Sequence, residues 1–207
     1  AATGTLPAGP LRVSGQGAVA ERLAAGLAAA GVVVQRDMAA HEVAVTGAFG
    51  RLQLTDGRCA QQLAAELGTS DVAVFDWSVA SAAPGAPLAF AVAGSADAAL
   101  AEAAAAVLAA AQWRPVRFGD TPGLTVARTL AMLVNEASDA VLHGVCDEAG
   151  ADTAMKLGTA WPAGPFDWLA QFGAPSIVTL LDALDAHYRG ERYRVSPRLR
   201  QAAWLAR

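Results

Sequence analysis

The first 120 residues alternate short apolar runs with longer stretches in which apolar residues recur at helical spacing. Val19, Leu23 and Leu27 lie four residues apart, which predicts the buried face of a helix over residues 18–30. Two further helices are predicted, at residues 59–67 and 97–111. The short apolar runs predict six strands, at residues 11–14, 32–34, 52–55, 72–75, 88–92 and 115–118. Strands that alternate with helices in this way predict an α/β fold with a mainly parallel sheet.

After Asp120 the strand patterns stop and the pattern becomes helical throughout. Apolar residues at helical spacing predict a long amphipathic helix over residues 125–143. Shorter helices are predicted at residues 147–157 (ended by Gly158), 166–172, 175–189 and 197–204. The expected organisation is a linker at residues 1–10, a reduced Rossmann-like α/β domain at residues 11–119 and an all-helical domain at residues 120–207.

Composition and charge exclude several classes of protein. With 54% hydrophobic and 16% charged residues, the chain is too apolar for a disordered protein. No apolar run is long enough to predict a membrane span. The net charge of −4 argues against a nucleic-acid binder. Cys59 and Cys146 are expected to be two buried thiols in a cytoplasmic protein. Because the chain begins with Ala and a linker-like segment, we expect a fragment of a longer polypeptide.

A glycine-rich loop is the first candidate for chemistry. Gly15, Gly17 and Ala20 fit the pattern G-x-G-x-x-A between a predicted strand and a predicted helix, and Asp37 lies 20 residues after Gly17. In a dinucleotide-binding fold the loop approaches the pyrophosphate of NAD and the acid binds the ribose hydroxyls. The same residues also suit a tight strand-to-helix turn without a ligand. Only about 80 residues follow Asp37 before the helical domain, which is short for a complete NAD-binding domain.

Five motifs in the second half carry a family resemblance. They are D-T-P-G-L-T-V-A-R-T-L at 120–130, N-E-A at 135–137, D-T-A-M-K-L-G at 152–158, W-P-A-G-P-F-D-W at 161–168 and E-R-Y-R-V-S-P-R-L-R at 191–200. In this order they resemble the 3-hydroxyacyl-CoA dehydrogenases over about residues 112–204. The combination looks like the second, degenerate module of long bacterial members that act on 3-hydroxybutyryl-CoA or 3-hydroxyadipyl-CoA.

The resemblance implies an activity, but this chain lacks the family's residues at the catalytic positions. The family oxidises the 3-hydroxyl of an acyl-CoA with NAD, in fatty-acid or aromatic-acid catabolism, and uses a His–Glu pair and an Asn. At the Asn position this chain has Ala127, and residues 88–94, which correspond to the family's His segment, contain neither His nor Asn. His41, His143 and His187 lie elsewhere and are expected to be structural or solvated. We therefore predict no catalytic residue in this chain.

Three functions stay open at this point. The chain could be an accessory module that dimerises through its helical domain and supports the acyl-CoA site of a catalytic N-terminal module. It could instead bind CoA or a nucleotide without chemistry, or be an active NAD-dependent dehydrogenase. The aromatic residues Trp161, Phe166, Trp168 and Phe172 suit either a partner surface or the domain's own core.

The arginines near the end of the chain also allow two interpretations. Residues 189–207 hold six arginines and one acid, which predicts either a solvated helix face or a contact with CoA phosphates or with an acidic surface of the catalytic module. No cluster has zinc-like spacing, so we expect no metal.

Overall fold

The computed structural model describes residues 4–79 and 83–206. Contacts within the chain define two compact units. The α/β unit contains the residues up to Thr55 and Cys59–Leu124, and the helical unit contains Asp56–Arg58 and the residues from Thr125 onward. No helix in the described ranges is long and apolar enough to cross a membrane.

The described part of the α/β unit forms one seven-stranded sheet with three helices. The strands are β1 (Leu11–Ser14), β2 (Val34–Asp37), β3 (Ala44–Gly47), β4 (Gly50–Leu54), β5 (Val72–Phe75), β6 (Ala86–Val92) and β7 (Trp113–Arg117). The helices are α1 (Ala18–Ala29), α2 (Ala60–Leu67) and α3 (Ala98–Ala110). The order of strands across the sheet is β2-β1-β3-β4-β5-β6-β7.

The sheet is mixed, and this corrects the prediction that it is mainly parallel. The pairs β1–β2, β4–β5 and β6–β7 are parallel, whereas β1–β3, β3–β4 and β5–β6 are antiparallel. Four of the six predicted strands, β2, β4, β6 and β7, have other bounds in the structure. β2 begins at Val34 instead of Val32, and Val33 is an exposed residue before the strand. β3 was not predicted at all.

Apolar side chains cover both faces of the sheet. Leu23 and Leu27 of α1 and Leu108 of α3 pack in one cluster with inward-facing strand residues such as Phe75. Leu63 of α2 belongs to a second cluster with Val72 and Val74 of the same strand. β5 is therefore buried on both faces, which explains its uninterrupted apolar sequence.

The helical unit consists, in its described part, of five helices and one 3-10 turn. They are α4 (Val126–Leu142), α5 (Glu148–Thr159), α6 (Pro165–Phe172), α7 (Ala174–Tyr188), the turn Glu191–Tyr193 and α8 (Pro197–Leu205). α4 packs against α6, α7 and α8. Its buried face, with Leu130 and Val134, shares the interior with Ile177 and Leu181 of α7. The prediction that Gly158 ends α5 is wrong, because the helix continues to Thr159 and ends at Ala160 in a left-handed conformation.

Candidate functional site

The glycine loop lies between β1 and α1, where the sequence predicted it. Gly15 and Gly17 have φ angles of 84° and 91°, which residues other than glycine rarely adopt. Ala20 is a fully buried residue of α1, and Asp37 is the last residue of β2. The N–H of Gly15 donates to the carbonyl of Asp37 at 2.9 Å. The structure thus brings the predicted residues to the carboxyl ends of β1 and β2.

Several polar groups around this loop form hydrogen bonds and an ion pair with one another. Gln16 Nε2 donates to the carbonyl of Met38 at 2.8 Å, and Asp37 Oδ1 accepts from the N–H of Ala39 at 3.3 Å. The guanidinium of Arg36 donates to the carbonyl of Ala20 at 2.9 Å and to that of Gly15 at 3.2 Å. It also pairs with Glu21 at 2.9 Å. Arg36 and Gln16 were not predicted from the sequence, since neither belongs to the dinucleotide pattern.

Gly15 is also packed closely against another part of the backbone. A Cβ added there would lie 2.8 Å from the carbonyl oxygen of Glu42 and 2.9 Å from Cα of Val43. A Cβ added at Gly17 would meet nothing within 4 Å. In dinucleotide-binding folds the loop must leave room beside its backbone for a pyrophosphate. Residues 42–43 fill the space beside Gly15, whereas the space beside Gly17, the glycine at which the backbone approaches a pyrophosphate in such folds, is open.

Two of the quoted motifs meet in the helical unit. Asp152 Oδ1 accepts from the N–H of Phe166 at 2.8 Å and so caps the start of α6. A Cβ on Gly164 would lie 2.2 Å from that same oxygen, which explains why glycine stands there. Asp167 Oδ2 accepts from the N–H of Gly164 at 2.9 Å and pairs with Lys156 at 2.5 Å. The turn at residues 161–168 is therefore held in place by α5.

The Lys156–Asp167 pair changes the ionisation of both groups. Its hydrogen bond lowers the pKa of Asp167, and the N–H of Gly164 adds to that effect. The same hydrogen bond to Asp167 raises the pKa of Lys156. Both shifts favour the charged forms. Because both side chains are exposed, the pair fixes local geometry more than it stabilises the fold.

A buried amide connects the other two motifs of the helical unit. Asn135 lies on α4 and is 2% exposed. Its Oδ1 accepts from the N–H of Ser196 at 2.8 Å, and its Nδ2 donates to the carbonyl of Arg194 at 3.0 Å. The motif at residues 191–200 is thereby held against the motif at residues 135–137. These contacts give Asn135 a structural role.

Asp120, at the start of the junction motif, caps a helix of the α/β unit. Its Oδ1 accepts from the N–H of Ala60 at 2.7 Å and its Oδ2 from the N–H of Gln61 at 2.8 Å. The sequence offered no signal for this cap, because the partners lie about 60 residues apart. Cys59, the residue before α2, is half-buried, and burial raises the pKa of its thiol, with Asp120 contributing less. Both cysteines were predicted to be buried, but Cys146 is also only half-buried.

The residue at the family's Asn position cannot act as a general base, because alanine carries no proton acceptor on its side chain. Ala127 is fully buried on α4. His41, His143 and His187 are all exposed. A general base must reach the proton that it removes within about 3 Å, directly or through one water. In the part of the chain that the structure describes, no group of three or more His, Cys, Asp or Glu residues is placed to hold a metal ion.

Several aromatic residues and arginines of the helical unit contact other residues of the same unit. Phe166 and Trp168 are buried, and Trp168 contacts Phe172 with ring centroids 6.2 Å apart. Three arginines near the end of the chain form ion pairs with acids of other helices. These pairs are Arg194–Asp139, Arg198–Glu148 and Arg200–Asp182. The structure thus favours a core role for Phe166 and Trp168 and a solvated, paired surface for these arginines.

Two family profiles match adjacent parts of the chain. The profile of the 3-hydroxybutyryl-CoA dehydrogenase reduced Rossmann-fold domain matches residues 52–122. The profile of the 3-hydroxyacyl-CoA dehydrogenase C-terminal domain matches residues 123–207. Together the two matches include β4 to β7 and the whole helical unit, but neither includes the glycine loop.

Individual relatives agree with these profiles. The chain is 48% identical over 90 residues to the 3-hydroxyadipyl-CoA dehydrogenase of Escherichia coli K12, which is 44% of this chain and 19% of that relative. It is 33% identical over 96 residues to a probable 3-hydroxybutyryl-CoA dehydrogenase of Deinococcus radiodurans, covering 45% of this chain and 34% of that relative. The chain therefore spans about a third or less of the length of these curated relatives.

Solved structures extend the likeness to most of the chain. The crystal structure of 3-hydroxybutyryl-CoA dehydrogenase from Escherichia coli K12 superposes with a TM-score of 0.72 at 36% identity. That match covers 78% of this chain and 33% of the solved one. A second structure, (S)-3-hydroxybutyryl-CoA dehydrogenase from Ralstonia eutropha, has a TM-score of 0.62 at 20% identity and covers 75% of this chain and 55% of its own. This second match supports the fold alone.

Proposed function

The chain belongs to the 3-hydroxyacyl-CoA dehydrogenase family, and we propose that it is a non-catalytic part of such an enzyme, serving dimerisation and support of the acyl-CoA site. The observation that carries this proposal is Ala127, fully buried where the family has its Asn. Residues 88–94 also lack the family's His, and all three histidines of the chain are exposed. The oxidation of a 3-hydroxyacyl-CoA to a 3-oxoacyl-CoA with NAD then belongs to a catalytic module on the same polypeptide.

Exposed apolar side chains on the helical unit support the dimerisation part of the proposal. Val145 is 75% exposed, Leu157 83% and Leu205 87%. Leu142, Tyr188 and Trp204 are also exposed. Single exposed apolar residues are common, whereas a contiguous group of large ones is typical of a surface that another protein covers. We infer that the partner is a second copy of the chain.

The chemistry of the cysteines bears on the compartment. Cys59 and Cys146 are both free thiols with partial exposure. Accessible free thiols persist best in a reducing compartment. We infer that the enzyme of which this chain is a part is cytoplasmic. We also infer that it acts in acyl-CoA catabolism, in fatty-acid or aromatic-acid breakdown.

Light scattering after size-exclusion chromatography tests the dimer directly. We expect the wild type to elute with the mass of two chains, and Leu157→Glu to elute with the mass of one. The matched control is Leu67→Glu, which places the same charge on an exposed leucine of α2 in the α/β unit. This control should remain a dimer. A wild type that has the mass of one chain at every concentration would contradict the proposal.

A further inference from the structure

The connection between β2 and β3 passes over the end of β1. β1 and β2 are parallel, with Ser14 opposite Asp37, so their carboxyl ends lie at the same edge of the sheet. β3 is antiparallel to β1, and its first residue, Ala44, lies opposite Ser14. Since β1 lies between β2 and β3, residues 38–43 have to cross the carboxyl end of β1. In a doubly wound dinucleotide fold the neighbouring strands are parallel, and this edge stays open as the binding crevice.

Two observations show how closely residues 38–43 cover the glycine loop. The backbone of Glu42 and Val43 lies so near Gly15 that a Cβ on Gly15 would be 2.8 Å from the Glu42 carbonyl oxygen. Gln16, between the two glycines, donates from Nε2 to the carbonyl of Met38 at 2.8 Å. The segment is thus fixed to the loop at both of its ends. Arg36 meanwhile holds the carbonyls of Gly15 and Ala20.

We propose that residues 38–43 are a built-in plug, which occupies the crevice beside the glycine loop and prevents this chain from binding NAD there. The glycines then serve the fold: Gly15 allows the plug to pack against the loop, and Gly17 allows the turn into α1. This inference does not depend on the proposed function, because a dimerising module with an open crevice could still hold NAD. It concerns only contacts within the α/β unit.

Calorimetric titration of NAD tests the plug. The wild type and Asp37→Ala are titrated, and a thermal melt of each preparation shows that the protein is folded. We expect no saturable heat from either protein at up to millimolar NAD. Saturable heat from the wild type that disappears in Asp37→Ala would overturn the proposal. Saturable heat that Asp37→Ala retains would show that NAD binds at a site without Asp37, a result that agrees with a plugged crevice.

The two glycines provide a second test that needs no ligand. Both have a positive φ, so alanine is strained at either position. Only at Gly15 does the new Cβ also meet backbone atoms of the plug. We expect Gly15→Ala to lower the melting temperature more than Gly17→Ala. If Gly15→Ala does not fold whereas Gly17→Ala does, the larger effect at Gly15 is also shown. Equal shifts would overturn the proposal.

Discussion

The side chain of Asn135 binds the backbone of Ser196, 61 residues further along the chain, through a 2.8 Å hydrogen bond from the Ser196 N–H to Oδ1. The same side chain binds the carbonyl of Arg194 at 3.0 Å. One buried amide thereby fixes the extended segment that precedes α8. The family motifs at residues 135–137 and 191–200 are parts of one structural contact.

Replacing Asn135 by Ala should destabilise the helical unit. The substitution leaves the Ser196 N–H and the Arg194 carbonyl without this partner, and an unsatisfied buried polar group costs about 1–3 kcal/mol. We expect a loss of about 2–4 kcal/mol in the free energy of unfolding, measured by urea denaturation. Glu136→Ala is the control, since Glu136 is the exposed neighbour on the same helix. It should shift the stability by no more than about 0.5 kcal/mol. A similar loss in both variants would refute the role assigned to Asn135.

Two glycines should respond to alanine with opposite signs. At Gly164 a Cβ would lie 2.2 Å from Asp152 Oδ1, so we expect Gly164→Ala to cost about 1–3 kcal/mol through overpacking. At Gly158, in the last turn of α5, a Cβ would meet nothing within 4 Å. There alanine should stabilise the helix by about 0.5–1 kcal/mol. Thermal melts of the two variants beside the wild type measure both effects, and a stabilised Gly164→Ala would contradict the described packing.

The effect of Lys156 on stability should depend on pH. The hydrogen bond from Lys156 lowers the pKa of Asp167 from its ordinary 3.8, so that group's contribution is present above pH 3.8 and is lost as the pH falls through the lowered value. The pKa of Lys156 is raised from 10.5, so its contribution is present below pH 10.5 and is lost as the pH rises through the raised value. The difference in melting temperature between wild type and Lys156→Gln should therefore be small, constant between these limits and absent at both extremes. A difference in melting temperature that persists in strong acid would show that the Lys156–Asp167 pair is not its cause.

Asp120 should stabilise the α/β unit through the start of α2. It accepts hydrogen bonds from two N–H groups in the first turn, where a negative charge is also favoured. We expect Asp120→Ala to cost about 1–2 kcal/mol, as is typical for the loss of a helix cap. Asp120→Asn keeps one acceptor oxygen and should cost less. Chemical denaturation gives both values, and equal stability of Asp120→Ala and wild type would rule out the cap.

The pattern of apolar residues predicted a helix or strand well where that pattern depends only on residues of the same helix or strand. β5 was predicted with its observed bounds, because a strand buried on both faces has an uninterrupted apolar sequence. The predicted start of β2 was two residues too early. β2 is an edge strand with one neighbour and contains the polar residues Gln35 and Arg36, so an apolar run does not mark its extent. β3 was missed because Ala44–Gly47 is short, ends in glycine and depends on pairing with β1 and β4.

The surroundings of the glycine loop could not be predicted from the pattern of apolar residues. The sequence identified Gly15, Gly17, Ala20 and Asp37 as a group, and their approach follows from the strand–turn–helix pattern. Whether a dinucleotide fits beside them depends on the direction of β3 and on the path of residues 38–43. Both are set by pairing between strands that are distant in sequence. The binding of NAD by these residues stays a prediction for titration to decide.

We propose that this chain does not itself catalyse the family's reaction. The most direct measurement is the oxidation of NADH by the purified chain with acetoacetyl-CoA as the 3-oxoacyl substrate, followed by absorbance at high protein concentration. We expect no rate above that of the buffer, since Ala127 replaces the family's Asn and no histidine lies in residues 88–94. A rate that grows in proportion to protein concentration and saturates with acetoacetyl-CoA would contradict the account.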